Sequence, residues 1–351
     1  MELRFWCGKP GELRTETAHL IKHLKAIAQG ADLSLVLAPF TDSARNAESD
    51  WLGGDVWREF PGPGGLLTVY TSGTTDQPKA IVKDFVLAFR SKKGKGRPSD
   101  RWLLTYNPYR WAGISMITHV LRTNAQLIVP ASLEARDILL ALPGASHISV
   151  TPSLFRKLML TDNSGVLGRV RLEQVTFGGE VATQSVLDLA RAYWPSARIT
   201  HVYASTEHGD ICSVSDDREG IPEEKWRGQV FTMEGELLLN GQPTGDIWAL
   251  RDGRYYFQGR VQEVANVGGA KVFLSTVEQA ALAIAGVLQA RAFAVPSALV
   301  GQLVSLEYEG TTAPGELAVE LRKRLPKVAW PAKVDKVECV RLSEAGKIGR
   351  S

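Results

Sequence analysis

Apolar residues recur at helical spacing over 17–29 (TAHLIKHLKAIAQ) and run unbroken over 33–40 (LSLVLAPF), a pattern that predicts a helix followed by a strand. Beyond the turn-rich PGPGG at 61–65, LLTVY at 66–70 predicts a second strand. The TSGTTDQPK that follows at 71–79 has neither period, so a polar loop leaves that strand end. From 102 to 210, strand-like runs (WLLTY, AQLIVP, HISV, QVTF, ITHVY) alternate with helix-like ones (LEARDILLAL, TPSLFRKLML, TQSVLDLARAY). Such alternation predicts an α/β sheet covered by helices. Between 229 and 260 the pattern shortens into alternating strands with turn signals, a small antiparallel β region. From 261 a new unit begins, with a Gly-Gly turn, an amphipathic helix over 276–286, strands and a helix near 315–325. The domains are therefore expected to be 1–260, a large α/β domain carrying the antiparallel β subdomain, and 261–351, a small α+β domain. No internal repeat occurs, which excludes solenoids and propellers.

Composition adds limits. A chain of 351 residues corresponds to about two domains at roughly 150 residues each. Hydrophobic residues at 44% and charged residues at 23% are ordinary for a soluble globular chain. The formal net charge of +3 argues for neither a nucleic-acid-coating nor a membrane-coating surface. Cys7, Cys212 and Cys339 are odd in number and widely spaced, which suits neither a disulfide framework nor a zinc ribbon. The charged N-terminus lacks a signal-peptide apolar core, and no run approaches the ~18 apolar residues of a spanning helix, so a cytoplasmic location is expected. The basic RSKKGKGRPSDR at 90–101 reads as a solvated surface loop.

Four segments carry chemistry. Thr71-Ser72-Gly73-Thr74-Thr75-Asp76-Gln77-Pro78-Lys79 offers four hydroxyls, a flexible backbone and an ammonium, which suits a loop that surrounds a polyphosphate, although a Ser/Thr-rich surface turn has the same composition. No Walker pattern occurs, which removes a P-loop phosphotransferase. Tyr203-Ala204-Ser205-Thr206-Glu207 combines an aromatic that stacks on a base, a hydroxyl for a phosphate and a carboxylate for Mg²⁺. Gly245-Asp246 with Gly259-Arg260 pairs a carboxylate and a guanidinium, suited to ribose and phosphate or to a surface ion pair. Glu344-Ala345-Gly346-Lys347-Ile348 places a lysine near the C-terminal end of the sequence.

In this order and spacing the four segments resemble the adenylate-forming superfamily of acyl-CoA synthetases, aryl-CoA ligases, peptide-synthetase adenylation domains and luciferases. The resemblance runs from about Leu66 to the end and includes the glycine-rich Asn266-Val267-Gly268-Gly269-Ala270-Lys271-Val272 and Pro331-Ala332-Lys333. It implies that Thr71, Ser72, Gly73, Thr74, Thr75 and Lys79 handle ATP phosphates. Gly178, Gly179 and Glu180 form the adenine-side loop, and Tyr203 stacks on the adenine. Thr206 touches the α-phosphate, Glu207 holds Mg²⁺, and Asp246 binds the ribose with help from Arg260. Lys347 reaches from the small domain to the carboxylate and the α-phosphate. The small domain then swivels at a hinge, here Gln262, and Gly269 lines the approach of a pantetheine thiol from CoA or a phosphopantetheinyl carrier protein. Asp76 and Ala204 depart from the family's glycines.

The acyl pocket is expected near Tyr109, Arg110, Trp111 and Gly113, with Phe177, and to suit an aromatic or unsaturated acid with Arg110 meeting a second polar group on it. The implied activity is ATP- and Mg²⁺-dependent activation of a small carboxylic acid, then acyl transfer to a thiol. The alternative is a shortened nucleotide- and acyl-binding module that is weakly active or inactive. Only 70 residues precede the phosphate loop, Met1 to Tyr70, so an open site covered by a carrier protein or by a second subunit of a homodimer is expected, without nucleic-acid or membrane partners.

Overall fold

The computed structural model describes residues 96–226 and 229–340, together with 3–5, 17, 18, 20–22, 24–26, 34–37, 57–60, 66–71 and 79–84. In chain order the strands of the first part are β1 Leu3–Phe5, β2 Ser34–Leu37, β3 Trp57–Phe60, β4 Leu66–Thr71 and β5 Lys79–Asp84. There follow β6 Arg101–Leu103, α1 Trp111–Thr123, β7 Gln126–Val129, α2 Ala135–Ala141, β8 His147–Val150 and α3 Pro152–Thr161. The run ends with α4 Val166–Arg169, β9 Gln174–Gly178, α5 Gln184–Tyr193, β10 Arg198–Ser205 and β11 Gly209–Val214.

These build a seven-stranded sheet in the order β1-β7-β6-β8-β9-β10-β11, parallel throughout except for the antiparallel edge β11. Strands covered on both faces need no polar alternation, and HISV and QLIV are mostly buried accordingly. On one face Phe155, Leu158, Leu187 and Ala190 from α3 and α5 pack against Ile148, Val175, Phe177 and Ile199. On the other, Ile114, Ile117 and Val120 of α1 pack with Trp102, Leu104, Leu127 and with Leu20 and Leu24, whose described neighbours are helical as 17–29 predicts. Leu67 and Val69 join that second cluster from a four-stranded sheet, β3-β2-β4-β5. β4 and β5 form an antiparallel hairpin closed by the pair Thr71 and Lys79, so the polar loop after β4 is a hairpin loop whose residues 72–78 lie outside the described set.

The second part is β12 Ile221–Pro222, β13 Val230–Phe231, β14 Glu236–Leu239, β15 Gln242–Arg251 and β16 Arg254–Arg260. They form an antiparallel sheet, β12-β16-β15-β14-β13, matching the sequence pattern over 229–260. Trp226, Trp248, Leu237 and Ile221 fill its core, and Phe231 stacks on Tyr255 at 4.2 Å. The third part comprises β17 Val264–Val267, β18 Ala270–Phe273, α6 Leu274–Leu282, β19 Val287–Ser297, β20 Gly301–Gly310, α7 Pro314–Arg324 and β21 Lys333–Lys336. Gly268 and Gly269 close the β17–β18 hairpin with φ of 59° and 87°, the left-handed pair that a two-residue turn with right-handed strand twist requires. This part has its own apolar cluster, from Ala265 and Val277 to Leu306, Tyr308, Leu317 and Leu321.

The described part of the basic segment, residues 96–101, is less uniformly solvated than its composition predicts. Asp100 is buried and accepts hydrogen bonds from the Arg97 backbone N–H at 2.9 Å and its Nε at 3.0 Å.

Candidate functional site

β10 ends beside the start of β15, and the two strands bring Tyr203 and Asp246 together. The Tyr203 hydroxyl donates to Asp246 Oδ2 at 2.6 Å, and Arg260 Nε donates to Asp246 Oδ1 at 3.0 Å. Asp246 faces Arg260 because the β15–β16 register pairs them directly. Gly245, inside β15, has a positive φ of 76°, and Thr244 Oγ1 accepts from the Asp246 N–H at 3.2 Å. Asp246 is only 4% exposed. Burial raises the Tyr203 phenol far above its ordinary pKa and the Asp246 carboxylate adds to the rise, so the ring keeps its proton and remains a donor. For Arg260, burial acts downward, but Asp246 and Glu263 hold the guanidinium above its ordinary value. The arrangement is a fixed carboxylate with two donors and lone pairs left over for hydroxyl groups. The Tyr203 ring meets Trp248 edge-on at 5.0 Å and is tilted against Trp226 at 5.7 Å.

Thr206 and Glu207 lie on the tight turn between β10 and β11, where Ser205 Oγ accepts from the His208 N–H at 3.0 Å. The Glu207 carbonyl takes the Lys83 ammonium at 2.5 Å, and Lys83 also sits 5.1 Å from the Trp111 ring. Burial lowers the Lys83 pKa and the Glu207 charge opposes that shift. Lys83 thus ties the β4–β5 hairpin to the β10–β11 turn and to α1. The sequence signal for it is modest: an inward lysine four residues beyond Lys79 on the strand leaving the polar loop.

Gly178 ends β9, and Gly179, at φ 82°, and Glu180 follow it. Glu180 Oε2 accepts from the Ser153 N–H at 2.9 Å, satisfying one of the free donors at the start of α3, while Thr151 Oγ1 accepts from Leu154 N–H at 3.0 Å. Behind it Arg156 is buried and its pKa falls to about 10 through burial, opposed by Glu180.

The residues expected to form the acyl pocket separate. Arg110 is the N-cap residue of α1 and Trp111 its half-buried first residue, close enough to Gly209 that a Cβ there would stand 3.7 Å from the indole. Tyr109, by contrast, is a core residue packed with α1. Phe177 is fully buried on the opposite face of the sheet, 5.5 Å from Phe155, because strand alternation turns it away from the face α1 covers. Gly113 has a packing role: a Cβ there would lie 2.2 Å from the Asn107 carbonyl oxygen. Further along the helix, the buried Arg122 Nη2, Thr118 Oγ1, His119 Nε2 and Trp111 Nε1 have no hydrogen-bond partner among the described residues. The Asp210 carboxylate lies near enough to raise both Arg122 and His119 against burial, which lowers them. Nothing in the sequence pattern marks Arg122 or Asp210.

His147 meets Asp100 and Glu173, a grouping with ligand-type atoms. Arg97 already occupies it, bonding both Asp100 and Glu173. Burial holds the imidazole below its ordinary pKa, so it is a neutral structural histidine. Gln262 lies on an exposed turn between β16 and β17, and Gly269 is exposed at its hairpin tip. Ser72 to Pro78, the side chains of Thr71 and Lys79, and Lys347 lie outside the described residues.

Known proteins share this arrangement of elements. The profile of the family described as AMP-binding enzyme matches residues 16–245. Tyrocidine synthase 3 of Brevibacillus parabrevis is 24% identical over 342 residues, covering 80% of this chain and 5% of that one. The medium/long-chain-fatty-acid–[acyl-carrier-protein] ligase FadD10 of Mycobacterium tuberculosis (strain CDC 1551 / Oshkosh) is 22% identical over 354 residues, covering 82% of this chain and 65% of that one. The chain therefore spans less than two thirds of the length of either relative. Among solved structures, the amide bond synthetase McbA from Marinactinospora thermotolerans superposes with a TM-score of 0.67 at 19% identity, over 95% of this chain and 81% of that one. ATP-bound MatB from Rhodopseudomonas palustris gives 0.66 at 17%, over 95% and 80%. These likenesses show a shared mixed α/β fold. Among the described residues no helix is long and apolar enough to cross a membrane.

Proposed function

Because the chain belongs to the AMP-binding enzyme family, we propose that it is an acid–thiol ligase that activates a small carboxylic acid with ATP and then passes the acyl group to a thiol. The observation that carries the reading is the buried Asp246 carboxylate held by Tyr203 and Arg260 beside the Thr206–Glu207 turn. In the proposed site Asp246 accepts from ribose hydroxyls, Tyr203 stacks on the adenine, and Gly178, Gly179 and Glu180 line its edge. Thr206 and the hydroxyls of Thr71, Ser72, Thr74 and Thr75, with Lys79 and the Gly73 backbone, bind phosphates. Glu207 is exposed, which suits an Mg²⁺ ligand. When bound, that ion supplies positive charge to the phosphates. Lys347 supplies the remaining charge, bridging carboxylate and α-phosphate so that two anions approach in line.

For the acid, Arg110 and Trp111 at the head of α1 support an aromatic or unsaturated substrate. The acceptor is a pantetheine thiol of CoA or of a carrier protein; FadD10 is by name an acyl-carrier-protein ligase. Gln262 is the proposed hinge between units 1–260 and 261–351.

Carboxylate-dependent ATP–pyrophosphate exchange across a panel of aromatic, unsaturated and aliphatic acids tests the reading. Exchange is expected with at least one aromatic or unsaturated acid, and Lys347→Ala is expected to lower it about 10²- to 10³-fold. Wild-type exchange in that variant, or ATP binding without exchange for any acid, overturns the assignment. Acyl release with and without CoA or a carrier then separates the acceptors.

A further inference from the structure

Hydrogen bonds from Gln289 and from Ser185 join the third part of the chain to the first, and both land on the segments around the proposed adenine-side loop. The Gln289 amide Nε2 donates to the Ser153 carbonyl at 2.6 Å, from the start of β19 to the first turn of α3. Ser185 Oγ donates to the Leu282 carbonyl, the last residue of α6, at 3.3 Å. Ser153 is the connecting residue, since its own N–H is held by Glu180 at 2.9 Å. One short path therefore runs from the 178–180 loop through Ser153 to Gln289.

Gln289 is unusual in its setting. It is 2% exposed, yet its Oε1 has no hydrogen-bond partner among the described residues. A buried amide that satisfies its donor and strands its acceptor makes a contact that is specific in direction but weakly held, because water restores both bonds when the surfaces part. In the same arrangement Gly268, Gly269, Ala270 and Lys271 are exposed, and a Cβ on either glycine would meet nothing within 4 Å. The hairpin tip proposed to line the thiol approach thus stands clear of the described residues.

We propose that Gln289 is a positioning residue, a releasable latch that docks the 261–351 unit on the first turn of α3 and keeps the Gly269 hairpin away from the site until thiol transfer. This rests on the ligase reading above. The docked arrangement then serves acid activation, and its release serves transfer.

The test uses Gln289→Met, which keeps the length of the side chain and removes both polar atoms, and separately Ser185→Ala, which removes the second contact. Limited trypsin cleavage after Arg260 is expected to rise about fivefold in Gln289→Met and to rise less in Ser185→Ala, the factor that loss of one hydrogen bond of ordinary net strength represents. ATP–pyrophosphate exchange with an acid that the wild type activates is expected to fall by a similar factor, while thiol transfer from supplied acyl-adenylate is unchanged or faster. Unchanged cleavage in both variants, or the two half-reactions falling by equal factors, overturns the latch. If the wild type activates no acid, the ligase reading fails on that ground, and the cleavage rates still decide the latch. Near-UV circular dichroism matching the wild type qualifies each variant as folded.

Discussion

At the scale of single residues the site depends on one carboxylate. Asp246 is buried, accepts from a phenol and a guanidinium, and retains acceptor capacity that neither donor uses. Replacing one carboxylate oxygen by an amide nitrogen puts a donor against a donor, either the Tyr203 hydroxyl or Arg260. Asp246→Asn is therefore expected to weaken ATP binding about 10- to 100-fold, the range for a hydrogen bond to a charged group. The melting temperature should also fall, as Arg260 loses its partner. Calorimetric titration with ATP checks this, and unchanged affinity would remove Asp246 from the nucleotide site. Tyr203, Asp246 and Arg260 were legible in the sequence as motif members. An ion pair of Asp246 with Arg260 was one of the readings the sequence allowed, but the bond from Tyr203 was not legible, because it joins residues 43 apart on different sheets. Gln289 left no motif, and Lys83 only its place four residues beyond Lys79. Each acts through a partner more than 120 residues away, Lys83 on Glu207 with a separation of 124 and Gln289 on Ser153 with 136, and no local pattern encodes such a meeting.

At the scale of elements, the strands and helices of 102–210 follow the hydrophobic pattern closely apart from α1 and the four-residue α4, and the pattern also passes over β5 before that region. α1 was hidden because Gly113 and the polar Ser115, Thr118 and His119 interrupt its apolar stripe of Ile114, Ile117 and Val120. β5 was hidden because KAIVKD sets only three apolar residues, Ala80 to Val82, between charged ones, yet it pairs with β4 along its full length. The glycine that obscures α1 is what lets it pack. The Asn107 carbonyl approaches Gly113 so closely that a methyl group would sit 2.2 Å from the oxygen. Gly113→Ala improves helix propensity but forces the 107–110 turn away, and overpacking of this kind typically costs about 1–3 kcal/mol. A lower urea midpoint with an unchanged m-value is the expected result. Because Arg110 and Trp111 follow that turn, the KM for the acid should rise as well. A stabilised variant would mean that the turn yields freely.

At the scale of the whole molecule, the question is what holds the seven-stranded sheet to the antiparallel β unit, since the nucleotide site proposed here takes Tyr203 from one and Asp246 from the other. Arg254 on β16 supplies part of the answer. It is buried, and its guanidinium bonds Asp216 at 2.7 Å and the carbonyls of Glu219, Arg218 and Gly220 at 2.9, 3.0 and 2.8 Å, spanning the segment that leaves β11. Burial acts to raise the Asp216 carboxyl, but its hydrogen bonds and Arg254 hold it below its ordinary pKa. A carboxyl depressed in the folded state contributes stability that is complete above its unfolded pKa and is lost as the pH falls through the folded value. Arg254→Met removes the partner of Asp216 and takes this donor from three carbonyls, of which that of Arg218 also meets His201 Nε2 at 3.1 Å. It is expected to cost about 3 kcal/mol at neutral pH, the lower end for a broken buried pair because Asp216 is partly exposed. The variant should also lose part of the wild-type decline in stability below about pH 4, so the two proteins converge on acidification. Urea unfolding at neutral pH and at acid pH measures both effects. A penalty that persists undiminished at low pH would mean that Arg254 acts through the carbonyls alone, with the Asp216 charge contributing nothing to the junction that brings Tyr203 to Asp246.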